Sequence, residues 1–383
     1  MTTVMLLHWG GSTLRGSERC LIESAKALRK AGYSVVLLRN DDCVDVEISP
    51  WVQEIVPFEF PEFMLDGRYI SLPFVAFARA WRSLSRMVNS FQPAAIYSNG
   101  GRPCQLAVPL ARKHRIPLVC HLHHPANRRY LYSWLYPWVD AAVFPSDYTR
   151  SISQQLAGVD GVVVYNGVDT DRFRPSVAKD EALRQAYGIA RHDVVIGQVG
   201  ALVPHKRPLV LLDAFQRLAS RDSRVHLVFV GSGPMTAPLC SAVAARGLGQ
   251  RVTVTGFVDD TLPFFQDVID IHVLASVEEG LGISVIEGAA CGLPSVVTDS
   301  TGLREVVERD VTALLFAPDD AAGLEAHLDR LVKDSALRDK LGDAGRRRVE
   351  HLFSLESYQQ GIVTAVASLI RRVRPMTSSP SFR

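Results

Sequence analysis

Residues 279–294 read Glu-Gly-Leu-Gly-Ile-Ser-Val-Ile-Glu-Gly-Ala-Ala-Cys-Gly-Leu-Pro. The early glycines predict a loop, and the apolar residues after them predict a helix that begins near Ile283 or Ser284. The free N–H groups of a first helical turn, together with the helix dipole, favour an anion such as a phosphate. Glu279 precedes this turn and Glu287 follows it, so both carboxylates can accept hydrogen bonds from hydroxyl groups beside the anion. A nucleoside diphosphate sugar combines these features; an ordinary solvated helix start is the alternative.

Length and charge limit the class of protein. A chain of 383 residues exceeds what one hydrophobic core usually holds, so two domains are expected. A hydrophobic content of 47% is enough to fill two cores. The net charge of +2 argues against nucleic acid as a partner, since such proteins carry a concentrated basic excess.

Cysteine usage and hydropathy predict a cytoplasmic protein. The six cysteines show no Cys-x2-Cys spacing, which favours reduced thiols. The apolar run from Val4 to Leu7 is too short for the core of a signal peptide and predicts a first strand. No run approaches the 18 or more apolar residues of a membrane span.

The first forty residues predict a second anion-binding loop. A strand from Val4 to His8, a glycine-bearing loop over residues 10–16, a helix from Ser17 to Ala31 and another strand form a β-loop-α-β unit. The loop and the helix start of such a unit are placed to receive an anion. The alternative is a plain Rossmann-like loop without a ligand.

Several segments resemble one family. The 279–287 stretch resembles the Glu-x7-Glu motif of the retaining glycosyltransferases of family 4, and residues 166–169, Asn-Gly-Val-Asp, resemble the segment that ends their first domain. Residues 302–305, Gly-Leu-Arg-Glu, match the family's Gly-Gly-x-x-Glu turn except at Leu303. The resemblance implies an α/β protein with the GT-B fold: two Rossmann-like domains whose parallel sheets face each other across a cleft, with a C-terminal helix that crosses back to the first domain. The implied ranges are an acceptor-binding domain (1–172), a nucleotide-sugar-binding domain (173–355), and a crossover helix followed by a disordered tail (356–383).

The same resemblance implies the roles of individual residues. Lys206 and the loop N–H groups would neutralise the leaving diphosphate, Glu287 would hold the ribose, and Glu279 would hold a hydroxyl of the donor sugar. The implied catalytic residues are His123, Lys206 and Glu279, and the implied donor-binding residues are Gly16, Arg207, Val258, Gly280, Leu281, Gly282, Ile283 and Glu287.

Two positions depart from the family's pattern. The family has an Arg directly after the glycine that ends the first strand of the second domain, where this sequence has Ala201. Arg207 is the nearest residue that could replace the missing charge. Arg15 stands where the family has the first glycine of its first-domain loop, and this change either narrows the loop or adds a positive charge to it.

A histidine cluster follows another predicted strand. His121, His123 and His124 lie after Ile116-Pro117, where open α/β sheets place ligands. The set lacks the separated partners of a structural zinc site. The resemblance implies one His beside the donor sugar, and His123 is the predicted residue, with His121 left open. A histidine that only satisfies a strand end is the alternative.

Basic and aromatic residues of the first half suggest an acceptor or membrane surface. Arg79, Arg82 and Arg86 share one face of a predicted helix, and aromatic residues alternate with arginines over residues 128–138. Such surfaces suit anionic lipid or a lipid-linked acceptor. An ordinary solvated helix, or a helix packed under the acceptor loop, is the alternative. We therefore expect a cytoplasmic protein, and peripheral membrane contact through its first domain is left open.

The predicted activity is retaining transfer of a sugar from a nucleotide sugar to a glycan, glycolipid or other hydroxyl acceptor, in the synthesis of polysaccharide or glycoconjugate. Asp169 and Asp171 spell an Asp-x-Asp metal motif, but the surrounding Asn-Gly-Val-Asp argues against that use, so no metal and no cofactor are expected. Two alternatives are a nucleotide-sugar 2-epimerase on the same fold and a non-catalytic nucleotide-sugar-binding protein. The base, the sugar and the acceptor are left open.

Overall fold

The computed structural model describes residues 1–14, 16–66, 69–71, 73–177 and 179–373. The chain divides into two compact units. The first unit holds Met1–Asn166 and the segment that begins at Glu356, and the second holds Gly167–Leu355. The division falls before residue 172 because Val168 belongs to the second unit: its N–H donates to the carbonyl of Phe353 at 2.8 Å.

The first unit is built on a parallel sheet. Its strands, with a separate hairpin, are β1 (Thr3–His8), β2 (Ser34–Arg39), β3 (Glu54–Pro57), β4 (Met64–Asp66), β5 (Tyr69–Ser71), β6 (Ala95–Asn99), β7 (Leu118–His121), β8 (Ala141–Phe144) and β9 (Val162–Val163). The parallel order is β3-β2-β1-β6-β7-β8-β9, and β4 and β5 form the antiparallel hairpin. The register pairs His8 with Asn99, and Asn99 with His121, so polar residues from three strands meet at the carboxyl edge.

Helices cover both faces of this sheet. They are α1 (Gly16–Lys30), α2 (Asp45–Ile48), α3 (Phe74–Phe91), α4 (Cys104–His114), α5 (Arg128–Ser133) and α6 (Asp147–Ala157). Gly32, at a φ of +86°, lies in the turn that follows α1. The side chain of Ser146 caps α6 by accepting a hydrogen bond from the N–H of Thr149.

The second unit is also built from a parallel sheet and helices. Its strands are β10 (Val194–Val199), β11 (Val225–Val230), β12 (Val252–Val254), β13 (Ile271–Leu274), β14 (Ser295–Thr298) and β15 (Ala313–Phe316), in the parallel order β12-β11-β10-β13-β14-β15. Its helices are α7 (Glu181–Ala186), α8 (Pro208–Ala219), α9 (Thr236–Ala245), α10 (Ile283–Ala290), α11 (Leu303–Val306), α12 (Ala321–Lys333) and α13 (Ser335–Leu352). The predicted Rossmann-like architecture of both domains is confirmed.

The last helix, α14 (Leu355–Val373), packs on the first unit. Tyr358, Ile362 and Val366 are buried in the core beside α1 and β1. The resemblance implied this return in a segment that begins at residue 356; α14 begins one residue earlier, at Leu355, and continues to Val373. Residues 374–383, where the predicted disordered tail falls, lie outside the described residues.

Candidate active site

The loop before α10 presents a row of backbone donors. The N–H groups of Gly280 to Ser284 donate no hydrogen bond to any other described residue. Gly282 caps the helix at a φ of +91°, a conformation that only glycine adopts without strain. α10 begins at Ile283, at the place that the sequence predicted. Free donors at a helix N-terminus have the geometry that suits an anion, so the predicted anion site is available here.

Lys206 and Glu279 meet at this loop. Nζ of Lys206 lies 3.2 Å from Oε1 of Glu279, and both side chains are largely buried. The hydroxyl of Ser276 donates to the same Oε1 at 2.8 Å. Oε2 of Glu279 accepts no hydrogen bond from the described part of the chain. One carboxylate oxygen is therefore held in place, and the other is available to a ligand hydroxyl.

The turn after β14 packs against the loop that precedes α10. The N–H of Gly302 donates to the carbonyl of Glu279 at 3.2 Å, and a Cβ on Gly302 would lie 2.4 Å from the carbonyl oxygen of Gly280. The backbones therefore touch, and this contact requires a glycine. Leu303, which replaces the family's second glycine, is fully buried, and its Cδ2 fills the space where a Cβ on Gly282 would stand.

Two residues of the second unit were predicted to contact the nucleoside, Glu287 and Val258. Glu287 lies at the fifth position of α10 and is half-buried. Val258 follows β12 and is half-buried, beside Phe257, whose side chain is exposed. Neither backbone group of Val258 has a hydrogen-bond partner among the described residues, so both are available for contacts to a base.

Arg207 does not join Lys206 and Glu279. Nε of Arg207 lies 2.8 Å from Oδ1 of Asp319 in an exposed ion pair. Ala201 is exposed and brings no charge to the loop. Lys206 is therefore the cation that the structure brings to Glu279, and the idea that Arg207 replaces the missing charge stays a prediction.

In the first unit, Gly16 is the first residue of α1, one residue before the predicted helix start at Ser17, and its implied role in donor binding stays a prediction. The preceding loop is held by Asn40, whose side chain bonds both the N–H of Gly10 at 2.9 Å and its carbonyl oxygen at 3.0 Å. A Cβ on Gly10 would lie 2.4 Å from Nε2 of His8, so the loop backbone covers this ring. The predicted effect of Arg15 lies outside the described residues.

The histidine cluster lies at the carboxyl edge of the first sheet. His121 ends β7 and is fully buried, whereas His123 lies two residues beyond and is half-buried; their ring centroids are 4.1 Å apart. Burial lowers the pKa of His121 to about 3, and burial, then the nearby histidines, lower the pKa of His123 well below its ordinary value. Both rings are neutral at pH 7. His124 is exposed in the following turn.

Sequence reasoning missed three residues, Asn99, His8 and Glu18, that continue from this cluster as a series of polar contacts. Oδ1 of Asn99 lies 2.8 Å from Nε2 of His123, and Nδ2 of Asn99 lies 3.0 Å from Nδ1 of His8. Nε2 of His8 lies 3.6 Å from Oε1 of the buried Glu18. The available signal was the polar residue that ends each of the neighbouring strands β1, β6 and β7.

Asp169 caps its own turn. Its Oδ1 accepts hydrogen bonds from the N–H groups of Asp171, at 3.1 Å, and Arg172, at 3.0 Å. This is the turn chemistry of an Asp side chain that bonds the backbone two and three residues later.

A groove of about 840 Å³ runs along α3 in the first unit. Small side chains of α3 and the segment 57–62 line it, and Trp9, which directly follows β1, lies in its wall. Arg79 and Arg86 line the groove and form no ion pair with other described residues. Arg102 stacks on Trp9, with its guanidinium carbon 3.7 Å from the ring centre.

The fold of the chain is that of known glycosyltransferases with two Rossmann-like domains, the GT-B class. The crystal structure of Anabaena Alr3699/HepE in complex with UDP-glucose matches with a TM-score of 0.81 at 20% identity, over 96% of this chain and 100% of that chain. The structure of a glycosyltransferase from Rickettsia africae matches with a TM-score of 0.82 at 19% identity, over 98% and 99%. At these identities the likeness shows the fold alone.

The chain belongs to the glycosyl transferases of group 1. That family's model matches residues 179–348, and the model of glycosyltransferase family 4 matches residues 14–172. A GDP-mannose-dependent α-(1-6)-phosphatidylinositol monomannoside mannosyltransferase of Mycobacterium tuberculosis is 32% identical over 223 residues, which is 55% of this chain and 57% of that protein. The enzyme of that name in Mycolicibacterium smegmatis is 28% identical over 282 residues, or 69% and 73%. The predicted glycosyltransferase family is confirmed, and its retaining mode stays a prediction. No helix among the described residues is both long and apolar enough to cross a membrane.

Proposed function

We propose that this chain transfers a sugar from a nucleoside diphosphate sugar to a hydroxyl group of a glycan or lipid-linked acceptor, with retention of the anomeric configuration. The observation that carries this proposal is the anion site of the second unit. Five backbone N–H groups without partners among the described residues lie in the loop that holds Glu279 and, through it, Lys206. A diphosphate is the group of the donor that would use both kinds of positive partner.

Lys206 and the N–H groups of residues 280–284 stabilise the charge that develops on the departing diphosphate. Such groups are fixed before the reaction and lie in a partly buried site, where electrostatic stabilisation is usually the largest catalytic effect. Oε2 of Glu279 accepts a hydroxyl of the donor sugar, and Glu287 holds the ribose. Backbone groups near Val258 contact the base.

Retention follows from a front-face reaction. Oε1 of Glu279 is held by Lys206 and Ser276, which suits a carboxylate that orients a sugar better than one that forms a covalent bond to it. The bond from the anomeric carbon to the phosphate oxygen breaks, the acceptor oxygen bonds to the same face of the sugar, and the departing phosphate takes the acceptor proton.

The acceptor binds to the first unit in the groove along α3. Trp9 and the Arg102 stacked on it lie in the same groove as Arg79 and Arg86. Aromatic rings suit the apolar faces of sugars, and unpaired guanidinium groups suit phosphate or carboxylate groups. Phe74 and Val75, at the start of α3, are 65% and 66% exposed. They support peripheral contact of a cytoplasmic protein with a membrane that carries a lipid-linked acceptor.

Thermal unfolding with UDP, GDP and ADP, each with and without a sugar attached, tests the donor and identifies its base. A ligand at 100 times its Kd stabilises the folded state by about 2.7 kcal/mol. The donor that stabilises is then incubated with acceptors, and NMR of the anomeric proton reads retention. An inverted product would contradict the mechanism. Donor consumption without any acceptor would instead indicate an epimerase or a hydrolase.

Glu279→Gln separates binding from catalysis. The amide keeps the shape of the side chain but removes the charge that pairs with Lys206. We expect affinity for the free diphosphate to be kept or increased, while the turnover number falls by tenfold or more, about 1.4 kcal/mol in the barrier. Equal losses in both would contradict the role of Glu279 in holding the sugar. Activity that disappears with EDTA and returns with a divalent ion would contradict the prediction of no metal.

A further inference from the structure

The amide of Asn99 has only one orientation that fits its neighbours. Asn99 is 2% exposed, and its Nδ2 lies 3.1 Å from the carbonyl oxygen of Ser17. A carbonyl oxygen can only accept a hydrogen bond, so the NH₂ group must be on this side of the amide. Oδ1 therefore faces Nε2 of His123 at 2.8 Å.

This orientation fixes the protons of two histidines. Because Oδ1 of Asn99 can only accept, Nε2 of His123 must carry a proton. The second hydrogen of Nδ2 points at Nδ1 of His8, which must then be unprotonated, and the proton of His8 lies on Nε2, facing Glu18. Burial lowers the pKa of both rings, so each carries one proton at neutral pH. Nδ1 of His123 is thus left with a lone pair.

That lone pair has no partner in the protein. Nδ1 of His123 is buried and forms no hydrogen bond with any described residue. The neighbouring His121 differs, because its Nδ1 bonds the hydroxyl of Tyr97 at 2.7 Å. A buried acceptor without a donor costs free energy, and a ligand hydroxyl would remove this cost.

We propose that Asn99 is a positioning residue for the sugar transfer proposed above: it holds His123 with its proton on Nε2, so that the Nδ1 lone pair accepts a hydrogen bond from a hydroxyl of the substrate. His123 then acts as a hydrogen-bond acceptor and not as a general acid. A substrate that lacks this hydroxyl would leave Nδ1 unpaired, so the arrangement also selects for the hydroxyl group.

The groups that face His123 are all neutral or distant from its ring. They are His8 from β1, Asn99 from β6, His121 from β7 and His124 from the following turn, while Glu18 and Asp41 act on His8. Asn99→Asp would place a negative charge 2.8 Å or so from Nε2, which raises the pKa of His123. Protonated His123 would donate from Nδ1 instead of accepting.

The experiment combines ¹⁵N NMR of histidine side chains with kinetics. In the wild type we expect the spectrum of a protonated Nε2 and an unprotonated Nδ1 for His123, assigned by its loss in His123→Gln. Asn99→Leu should mix the two tautomers and lower kcat about tenfold. Asn99→Asp should keep the tautomer, restore most of kcat at pH 8, and add a loss of activity as the pH falls through the raised pKa. Tyr97→Phe, which removes the hydrogen bond to His121, is the matched control and should leave the His123 signals unchanged.

Two results would overturn the inference: a proton on Nδ1 of His123 in the wild type, or an Asn99→Asp variant whose pH profile matches that of the wild type. If Asn99→Leu does not fold, the aspartate variant alone decides. The tautomer spectrum needs no substrate, so a wrong tautomer contradicts this inference, whereas a wild type that turns over no nucleotide sugar contradicts the proposed function.

Discussion

The two units differ in whether the polar residues of their candidate sites carry charge. In the second unit, the loop before α10 joins backbone N–H groups to a charged pair, Lys206 and Glu279. In the first unit, the groups around Asn99 are mostly neutral, because burial keeps His8, His121 and His123 uncharged at pH 7. Charge and free N–H groups suit a diphosphate, and neutral acceptors suit hydroxyl groups. The two sheets therefore carry polar clusters of different character, and each suits a different kind of chemical group.

The largest effect should come from removing the charge of the second unit. Lys206→Ala is expected to weaken binding of the nucleoside diphosphate by about 1.5–3 kcal/mol, because a charge-assisted hydrogen bond in a partly buried site is lost. Isothermal titration calorimetry measures this change. Arg207→Ala is the matched comparison, since Arg207 is adjacent but pairs with Asp319 at the surface. A change in affinity below about 0.5 kcal/mol would contradict the predicted role of Arg207 in donor binding. A loss in Arg207→Ala as large as in Lys206→Ala would mean that Arg207 does supply the second charge.

The second prediction tests whether neutral histidines are confined to the first unit. His272, in β13, is fully buried, and burial and the charge of Lys206 lower its pKa to about 3. The unfolded chain binds a proton at this residue below pH 6.5 and the folded chain does not, so stability is kept above pH 6.5 and lost as the pH falls toward 3. Between pH 7 and pH 5 the free energy of unfolding should fall by about 2 kcal/mol from His272.

Urea unfolding of the wild type and of His272→Leu at the two pH values measures this contribution. The variant should lose about 2 kcal/mol less between them. His192→Gln, at a side chain that is 76% exposed, should behave like the wild type. An unchanged pH dependence in His272→Leu would mean that His272 titrates normally in the folded protein.

The third prediction concerns the backbone of the second unit's site. Gly282→Ala is expected to lower the free energy of unfolding by about 1–3 kcal/mol, because alanine at a φ of +91° is strained and its Cβ meets Leu303. Urea unfolding checks this, and diphosphate affinity should fall with it. Gly249→Ala is the control, since that exposed glycine has space around it and is not in the left-handed conformation. Full stability in Gly282→Ala would show that the loop can be rebuilt without this conformation.

The two sites differ in how far the sequence predicted them. Residues 279–287 are contiguous, so their spacing alone indicated the loop, the start of α10 and the two carboxylates. The cluster around Asn99 is assembled by strand pairing: His8 and Asn99 are 91 residues apart and become neighbours because β1 pairs with β6. Asp319, the partner of Arg207, is 112 residues further along the chain, so this contact could not be predicted from the local sequence either. Local motifs were therefore predicted, and contacts made by sheet order were not.

The smallest effect concerns charged residues of the first unit that lie outside the neutral cluster around Asn99, namely the arginines of α3. This helix carries three arginines and no acidic residue. Arg79 and Arg86 line the groove, whereas Arg82, on the same helix, does not. If the groove holds an acceptor that bears phosphate or carboxylate, replacing both lining arginines with alanine should raise KM for that acceptor about twofold to fivefold, or about 0.5–1 kcal/mol, because exposed charges are well screened. The rate at saturating acceptor should not change, since the contact is the same in the ground state and the transition state.

Arg82→Ala removes the same charge from the same helix and should leave KM unchanged. An equal rise in KM for Arg82→Ala would indicate a general electrostatic attraction of α3 for the acceptor or its membrane, and the groove would lose its assignment.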